Sequence, residues 1–243
     1  MSIYPSRRAE IFRPHSIHFL ISTIVPLFLV LLLLGGCGKK APVAESAVEL
    51  KPPPTVKLEP AQQIRIDRWH KLMKDKQHAP ALEKLISVNV FFNQLVFVDD
   101  SIHWGMEDYW STPVEFLISN GGDCEDFATA KYFTLLNMQV PEEKMRLIYV
   151  KSMTLKKPHM VLGYYFVPTA DPLVLDSIID DILPASRRKD LIPIYSFNGK
   201  GLWLAKKTSN DRVGGADRLS LWQELQKRYQ SEAIAGELSE KIK

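Results

Sequence analysis

Cysteine is nearly absent from this sequence: the 243 residues hold two, Cys37 and Cys124. A disulfide-rich scaffold is therefore excluded. A single Cys37–Cys124 bridge is the simplest use for a pair. Cys37, however, borders an apolar N-terminal run and precedes a proline-rich stretch, where a bridge would anchor little. An excess of charge of one sign is missing as well. Residues 1–36 hold three Arg and one Glu, and the remainder carries 28 basic and 27 acidic residues. A chain this close to neutral gives no electrostatic footprint for nucleic acid, and no such partner is expected. Internal repeats are also lacking, which excludes a solenoid or an array.

What is present begins with an address. Arg7, Arg8 and Arg13 flank an apolar run from Ile17 to Leu34, the form of a secretory signal. The run is long enough for an uncleaved anchor too, although Pro26 interrupts it. It ends in Leu34-Gly35-Gly36-Cys37, which resembles a bacterial lipobox. The resemblance implies a lipoprotein-type signal over residues 1–36, lipid on Cys37, and a membrane tether in the periplasm. Residues 37–60, rich in Pro, Ala and charge, read as a flexible linker. Residues 61–243 are long enough for one domain with its own core.

Within that domain the hydrophobic period changes halfway. Gln63–Lys76 places Ile66, Trp69 and Leu72/Met73 at helical spacing, and Pro80 opens a second helical pattern through Leu82, Leu85 and Ile86 to about Phe92. Thr112-Pro113-Val114-Glu115 carries a capping box with proline in the first turn, so a short helix should run to about Ser119 and stop at Asn120-Gly121-Gly122. Another helix is predicted from Asp123 to about Met138, with Phe127, Ala130, Phe133/Thr134 and Met138 inward. Strand patterns follow at 147–150, 160–167, 173–176, 192–197 and 202–204, and an amphipathic helix at about 217–232. Helices first and antiparallel strands after define an α+β class, with N-terminal helices packed on an antiparallel sheet.

Cys124 stands in the run Gly121-Gly122-Asp123-Cys124-Glu125-Asp126. The glycines allow a sharp approach and Asp123 can cap the helix, so Cys124 falls in its first turn. Free backbone N–H groups and the positive end of the dipole favour thiolate there and can receive an oxyanion. The acidic neighbours oppose this, since like charges raise a thiol pKa. Two readings stay open: the carboxylates cap the helix and face water, or a cation neutralises some of them. Clustered oxygen ligands would suit calcium.

A nucleophilic cysteine needs a base and an orienting group. Of six histidines, His15 and His18 lie in the signal, His70 and His78 on or beside an exposed helix, and His103 in a loop. His159 opens a predicted strand, and the next strand ends at Asp176. Adjacent strands can bring the two together, although a turn centred near Ala170 then requires a bulge or an offset. Trp104, Tyr109 and Trp110 are candidates for cleft walls or for plain core.

Several ordered runs carry a resemblance: Phe97-Val98-Asp99-Asp100, His103-Trp104-Gly105, Asp108-Tyr109-Trp110-Ser111-Thr112-Pro113, Gly122-Asp123-Cys124-Glu125-Asp126-Phe127-Ala128, His159-Met160-Val161-Leu162, Leu175-Asp176 and Tyr195-Ser196-Phe197-Asn198-Gly199. Over roughly residues 60–206 the chain resembles the bacterial transglutaminase-like cysteine proteinases, and within them the LapG-type periplasmic proteases. That resemblance implies a papain/transglutaminase-like fold and a Cys124–His159–Asp176 triad. It also implies calcium as cofactor, with Asp123 and Glu125 at the calcium-site positions. The substrate it implies is a large biofilm adhesin, cut near its N-terminus at a di-alanine site. The partner it implies is an inner-membrane cyclic di-GMP receptor that sequesters the protease. Two other functions use the same sequence features: an acyltransferase or amidase with the same triad, and a non-catalytic binding module.

Overall fold

The computed structural model describes residues 58–204 and 212–241; the signal, Cys37 and most of the linker lie outside the described residues. Two helices lead, α1 (Pro60–Lys76) and α2 (Ala81–Phe92). Next come a two-residue strand β1 (Val96–Phe97), the single turn α3 (Asp100–His103), and α4 (Pro113–Ser119). A second short strand, β2 (Gly121–Gly122), leads directly into α5 (Cys124–Asn137). The main sheet follows with β3 (Met145–Ser152), β4 (Pro158–Tyr164), β5 (Leu173–Leu175), β6 (Leu183–Pro184), β7 (Leu191–Asn198), β8 (Gly201–Leu204) and β9 (Arg212–Gly214). The chain closes on α6 (Ser220–Lys241). The seven strands lie in the order β6-β5-β4-β3-β7-β8-β9, every pairing antiparallel.

Alternation along β3 and β4 sends Met145, Leu147, Met160 and Leu162 into one core with the helices. α5 lies against β3 and β4 on one side and meets α2 and α4 on others. Every residue from Glu125 to Leu135 is consequently buried. The sequence pattern gives this helix a single inward stripe. Instead it is enclosed on all sides, and polar residues inside it must find partners within the protein.

α2 departs from its expected face. Leu82 and Ile86 are each 48% exposed, and Leu85, Val88, Asn89 and Phe92 point inward. The inward face tolerates polar groups because they are bonded: Lys84 donates to the Met138 carbonyl (2.7 Å) and Asn89 to the Asp180 carbonyl (2.9 Å). With those donors bonded, hydrophobic spacing alone no longer selects the buried side.

The glycines after α4 build structure as well as ending a helix. Asn120 closes α4 in the left-handed region (φ 67°), and Gly121 and Gly122 then pair in parallel with Val96 and Phe97. A Cβ on Gly121 would come within 2.5 Å of the Val96 carbonyl oxygen, and one on Gly122 within 2.0 Å of an Asp126 carboxylate oxygen. Only glycine lets this strand pass so close to both.

Candidate active site

β2 delivers the chain to α5 with Asp123 as N-cap and Cys124 as the first helical residue. Asp126, one turn on, holds the entrance. Its Oδ1 accepts from the Ser111 amide and hydroxyl (2.7 Å each), and its Oδ2 accepts from the Asp123 amide (3.1 Å). Asp126 therefore binds the helix start to the segment that carries Trp110. α6 braces that segment from behind: Arg228 donates to the Trp110 carbonyl, and the Thr112 hydroxyl donates to Glu232 (2.7 Å).

His159 lies on β4 and Asp176 one residue beyond β5. The register pairs Leu162 with Leu175 and Gly163 with Val174, which continues to set Asp176 opposite Val161. His159 is two residues from Val161 and so shares its face, diagonal to Asp176. The offset required by the sequence spacing is this diagonal, with no bulge between β4 and β5. Across it, His159 Nε2 and Asp176 Oδ1 are 2.8 Å apart, on side chains 1% and 0% exposed.

Burial alone would raise the Asp176 carboxyl. The His159 hydrogen bond and charge, the Ile178 amide and Arg188 outweigh it and hold the group down at about 2. Arg188 donates to Asp176 Oδ2 (2.7 Å) and is itself held by Asp190 (2.8 and 3.0 Å). An ionised carboxylate only accepts hydrogen bonds, so Nε2 carries the imidazole proton. Nδ1 is then the basic nitrogen, and it is buried with no partner among the described residues.

Cys124 and His159 line one cavity of about 220 Å³, with Trp110, Tyr149, Phe97 and Lys157 among its walls. Of the three aromatics proposed for the cleft, Trp110 lines it. Trp104 and Tyr109 pack against each other, with ring centroids 4.9 Å apart. The Cys124 thiol donates to Glu125 Oε2 (3.1 Å). Burial pushes this thiol well up, and the charges of Glu125 and Asp123 push it further. Burial first, and the carboxylates after it, thus oppose thiolate formation here.

Asp123 and Glu125 belong to a larger carboxylate group. Ligand atoms of Asp100, Asp123 and Asp126 lie within 4.8 Å of one another, as do those of Asp100, Asp108 and Glu125. Asp100 Oδ1 and Asp123 Oδ1 are buried without a hydrogen-bond partner among the described residues. Carboxylates grouped at ligand distances, two of them with an orphaned oxygen, fit a hard divalent cation with oxygen ligands. Asp126 is one of the acidic neighbours of Cys124 already read in the sequence; Asp100 and Asp108 escape that reading as ligands, although they stand in two of the runs that carry the family resemblance. Arg188 escapes it altogether.

Burial pushes Asp100 up to about 6 and Asp126 up to about 8, from an ordinary 3.8. The folded state then binds more protons than the unfolded chain between about pH 4 and 8, and stability falls as pH rises through that window. Lys131, lowered to about 7, opposes this only above pH 7. With chelator present, the melting temperature should therefore fall from pH 5 to pH 7 in a thermal scan. A flat or rising profile would contradict proton storage in this cluster.

Comparison with known proteins agrees with this geometry. The model of the family described as bacterial transglutaminase-like cysteine proteinase matches residues 63–203. Among solved structures, Legionella pneumophila LapG is similar at 44% identity, over 70% of this chain and 91% of that one, with a TM-score of 0.64. Its calcium-bound form gives 44% identity over 70% and 92%, with a TM-score of 0.63. The EGTA-treated form gives 44% over 70% and 91%, with a TM-score of 0.66. No curated protein sequence matches the chain. A family model spanning more than half of the chain, together with helices followed by an antiparallel sheet, places this protein among the bacterial transglutaminase-like cysteine proteinases.

Proposed function

We propose that the chain is a calcium-dependent periplasmic cysteine endopeptidase that cuts a large surface adhesin near its N-terminus at a di-alanine site, releasing it from the cell. The observation that carries the reading is the buried His159–Asp176 pair, with Nδ1 free, lining the same cavity as a cysteine at a helix start. Similarity to LapG supports the substrate class, and a calcium-bound structure of that protein supports the cofactor.

In this mechanism His159 Nδ1 takes the Cys124 proton, and the sulfur attacks the scissile carbonyl. The Cys124 backbone N–H, at the first position of α5, points to the developing oxyanion. The imidazolium then gives its proton to the leaving amine, and water resolves the thioester with His159 again as base. Asp176 holds the tautomer throughout, and Arg188 holds Asp176. Asp123 and Glu125, with Asp100, Asp108 and Asp126 beside them, would hold calcium. When bound, it supplies positive charge that offsets the carboxylates next to the thiol.

The test is incubation with an adhesin fragment containing Ala-Ala, read as a new N-terminus by mass spectrometry. Cleavage should stop in EGTA and return with excess calcium. Unchanged cleavage in EGTA, with no calcium heat by calorimetry, would remove the cation from the proposal. Incorporation of a labelled amine without a new N-terminus would move the reading to acyl transfer.

The address and partner belong to the same proposal. Lipid on Cys37 would tether the enzyme to a membrane, and an inner-membrane cyclic di-GMP receptor would sequester it. A mature protein lacking Cys37, or carrying it at its unmodified mass, would remove the tether. Failure of the purified receptor to inhibit cleavage would remove the partner.

A further inference from the structure

We propose that Lys131 is a positioning residue for the triad acid: its buried amino group fixes the main chain of Asp176 to the helix that carries Cys124. The proposal rests on the Cys124–His159–Asp176 reading above. Asp176 lies one residue past the last β4–β5 pair, where the ladder no longer dictates its position. Two side chains meet there on its carbonyl oxygen. Lys131 Nζ donates to it at 2.9 Å and Asn93 Nδ2 at 3.0 Å. Lys131 also donates to Asn93 Oδ1 (2.6 Å), and Asn93 reaches on to Asp180 (2.7 Å).

Lys131 comes from α5, two turns after Cys124, and Asn93 caps the C-terminus of α2. The nucleophile helix, a second helix and the corner after β5 are thus joined at one carbonyl. Lys131 is 1% exposed, and burying an amino group carries a desolvation cost that a methionine of similar length would not incur. A buried donor spent on the carbonyl of the residue that orients the base is what positional control of that residue requires. The carboxylate is aimed from the other side by Arg188 and the Ile178 amide (3.1 Å). Main chain and side chain of Asp176 are therefore fixed independently.

The test compares Lys131→Met and Asn93→Ala with wild type by two readouts. One is kcat and KM for adhesin-fragment cleavage. The other is the downfield proton resonance of the His159 Nε2–H hydrogen bond, assigned by its loss in His159→Gln. Both variants should lower kcat by about 10- to 100-fold, as for a small misplacement of a catalytic group, with KM held within about twofold. Both should shift the resonance upfield or exchange-broaden it. A lower melting temperature with kcat and the resonance unchanged would reduce Lys131 to a structural tie and overturn the proposal. If Lys131→Met does not fold, Asn93→Ala decides by the same readouts. If wild type proves to have no peptidase activity, the resonance still decides, so failure here and failure of the protease reading are told apart.

Discussion

Replacing Cys124 with alanine is expected to lower kcat/KM by at least about four orders of magnitude, in keeping with loss of the nucleophile from other hydrolytic triads. The described lining of the cavity holds no second thiol and no serine or threonine to take its place. Helix and fold should survive, because alanine suits the first turn and the change removes a single sulfur atom with its bond to Glu125. The measurement is cleavage of the adhesin fragment beside a thermal scan of the same preparation. Full processing by a folded Cys124→Ala protein would put the nucleophile elsewhere or end the enzymatic reading. Cys124→Ser makes the complementary measurement. It keeps the shape but presents a hydroxyl whose proton is harder to remove than that of the thiol, so it should stay near the alanine level.

Asp176→Asn should come close to this effect, with kcat down by about 10⁴, the size seen when the acid of a hydrolytic triad becomes an amide. The reason is the tautomer. Asp176 can only accept from His159, so the ring proton stays on Nε2 and Nδ1 stays basic. An asparagine can donate its amide to Nε2, which moves the ring proton to Nδ1, where the base is needed. Raising the pH should not rescue such a variant, because the proton is misplaced rather than in excess. The same change should cost stability. The Asp176 carboxyl lies at about 2 against an ordinary 3.8, which corresponds to about 2 kcal/mol. A depressed pKa contributes its stability above about pH 4 and loses it as pH falls toward 2, so the loss should be complete at neutral pH. Urea unfolding at pH 7 and pH 2.5 checks this, with a gap between wild type and variant at the first and little at the second. An unchanged kcat in folded Asp176→Asn would show that the base is oriented by some other group.

The parts of the site that were legible in the sequence are those written locally. The capping box at Thr112–Glu115 and the glycine-to-helix passage at 121–124 are contiguous, and their physics is complete within a few residues. His159 and Asp176 could be paired because one hairpin joins them, although the one-step diagonal had to come from the register. Lys131 was invisible for a different reason. A lysine in a helix ordinarily marks the solvent side, and only enclosure of α5 on all sides turns it inward. Arg188 sits in a segment without periodicity. Asp100 and Asp108 join the carboxylate cluster by tertiary folding, which no spacing rule encodes. The strands β6 and β9, with two and three residues, are too short to show alternation.

The strand order has a consequence for how this protein reaches its folded state. Every neighbouring pair in the main sheet is consecutive in the chain except one, β3 with β7. That seam joins Ser152 to Leu191, and the intervening chain contains the hairpin with His159 and Asp176 as well as Arg188 and Asp190. Loop-closure entropy must be met there before the contacts repay it, whereas the hairpins on either side can zip locally. His159 and Asp176 can thus meet early, as neighbours on a hairpin. Arg188, three residues before the start of β7, is tied to that seam through Asp190, whose carbonyl accepts from the Met153 amide (2.8 Å). The charge balance of the buried acid is in this sense coupled to completion of the sheet.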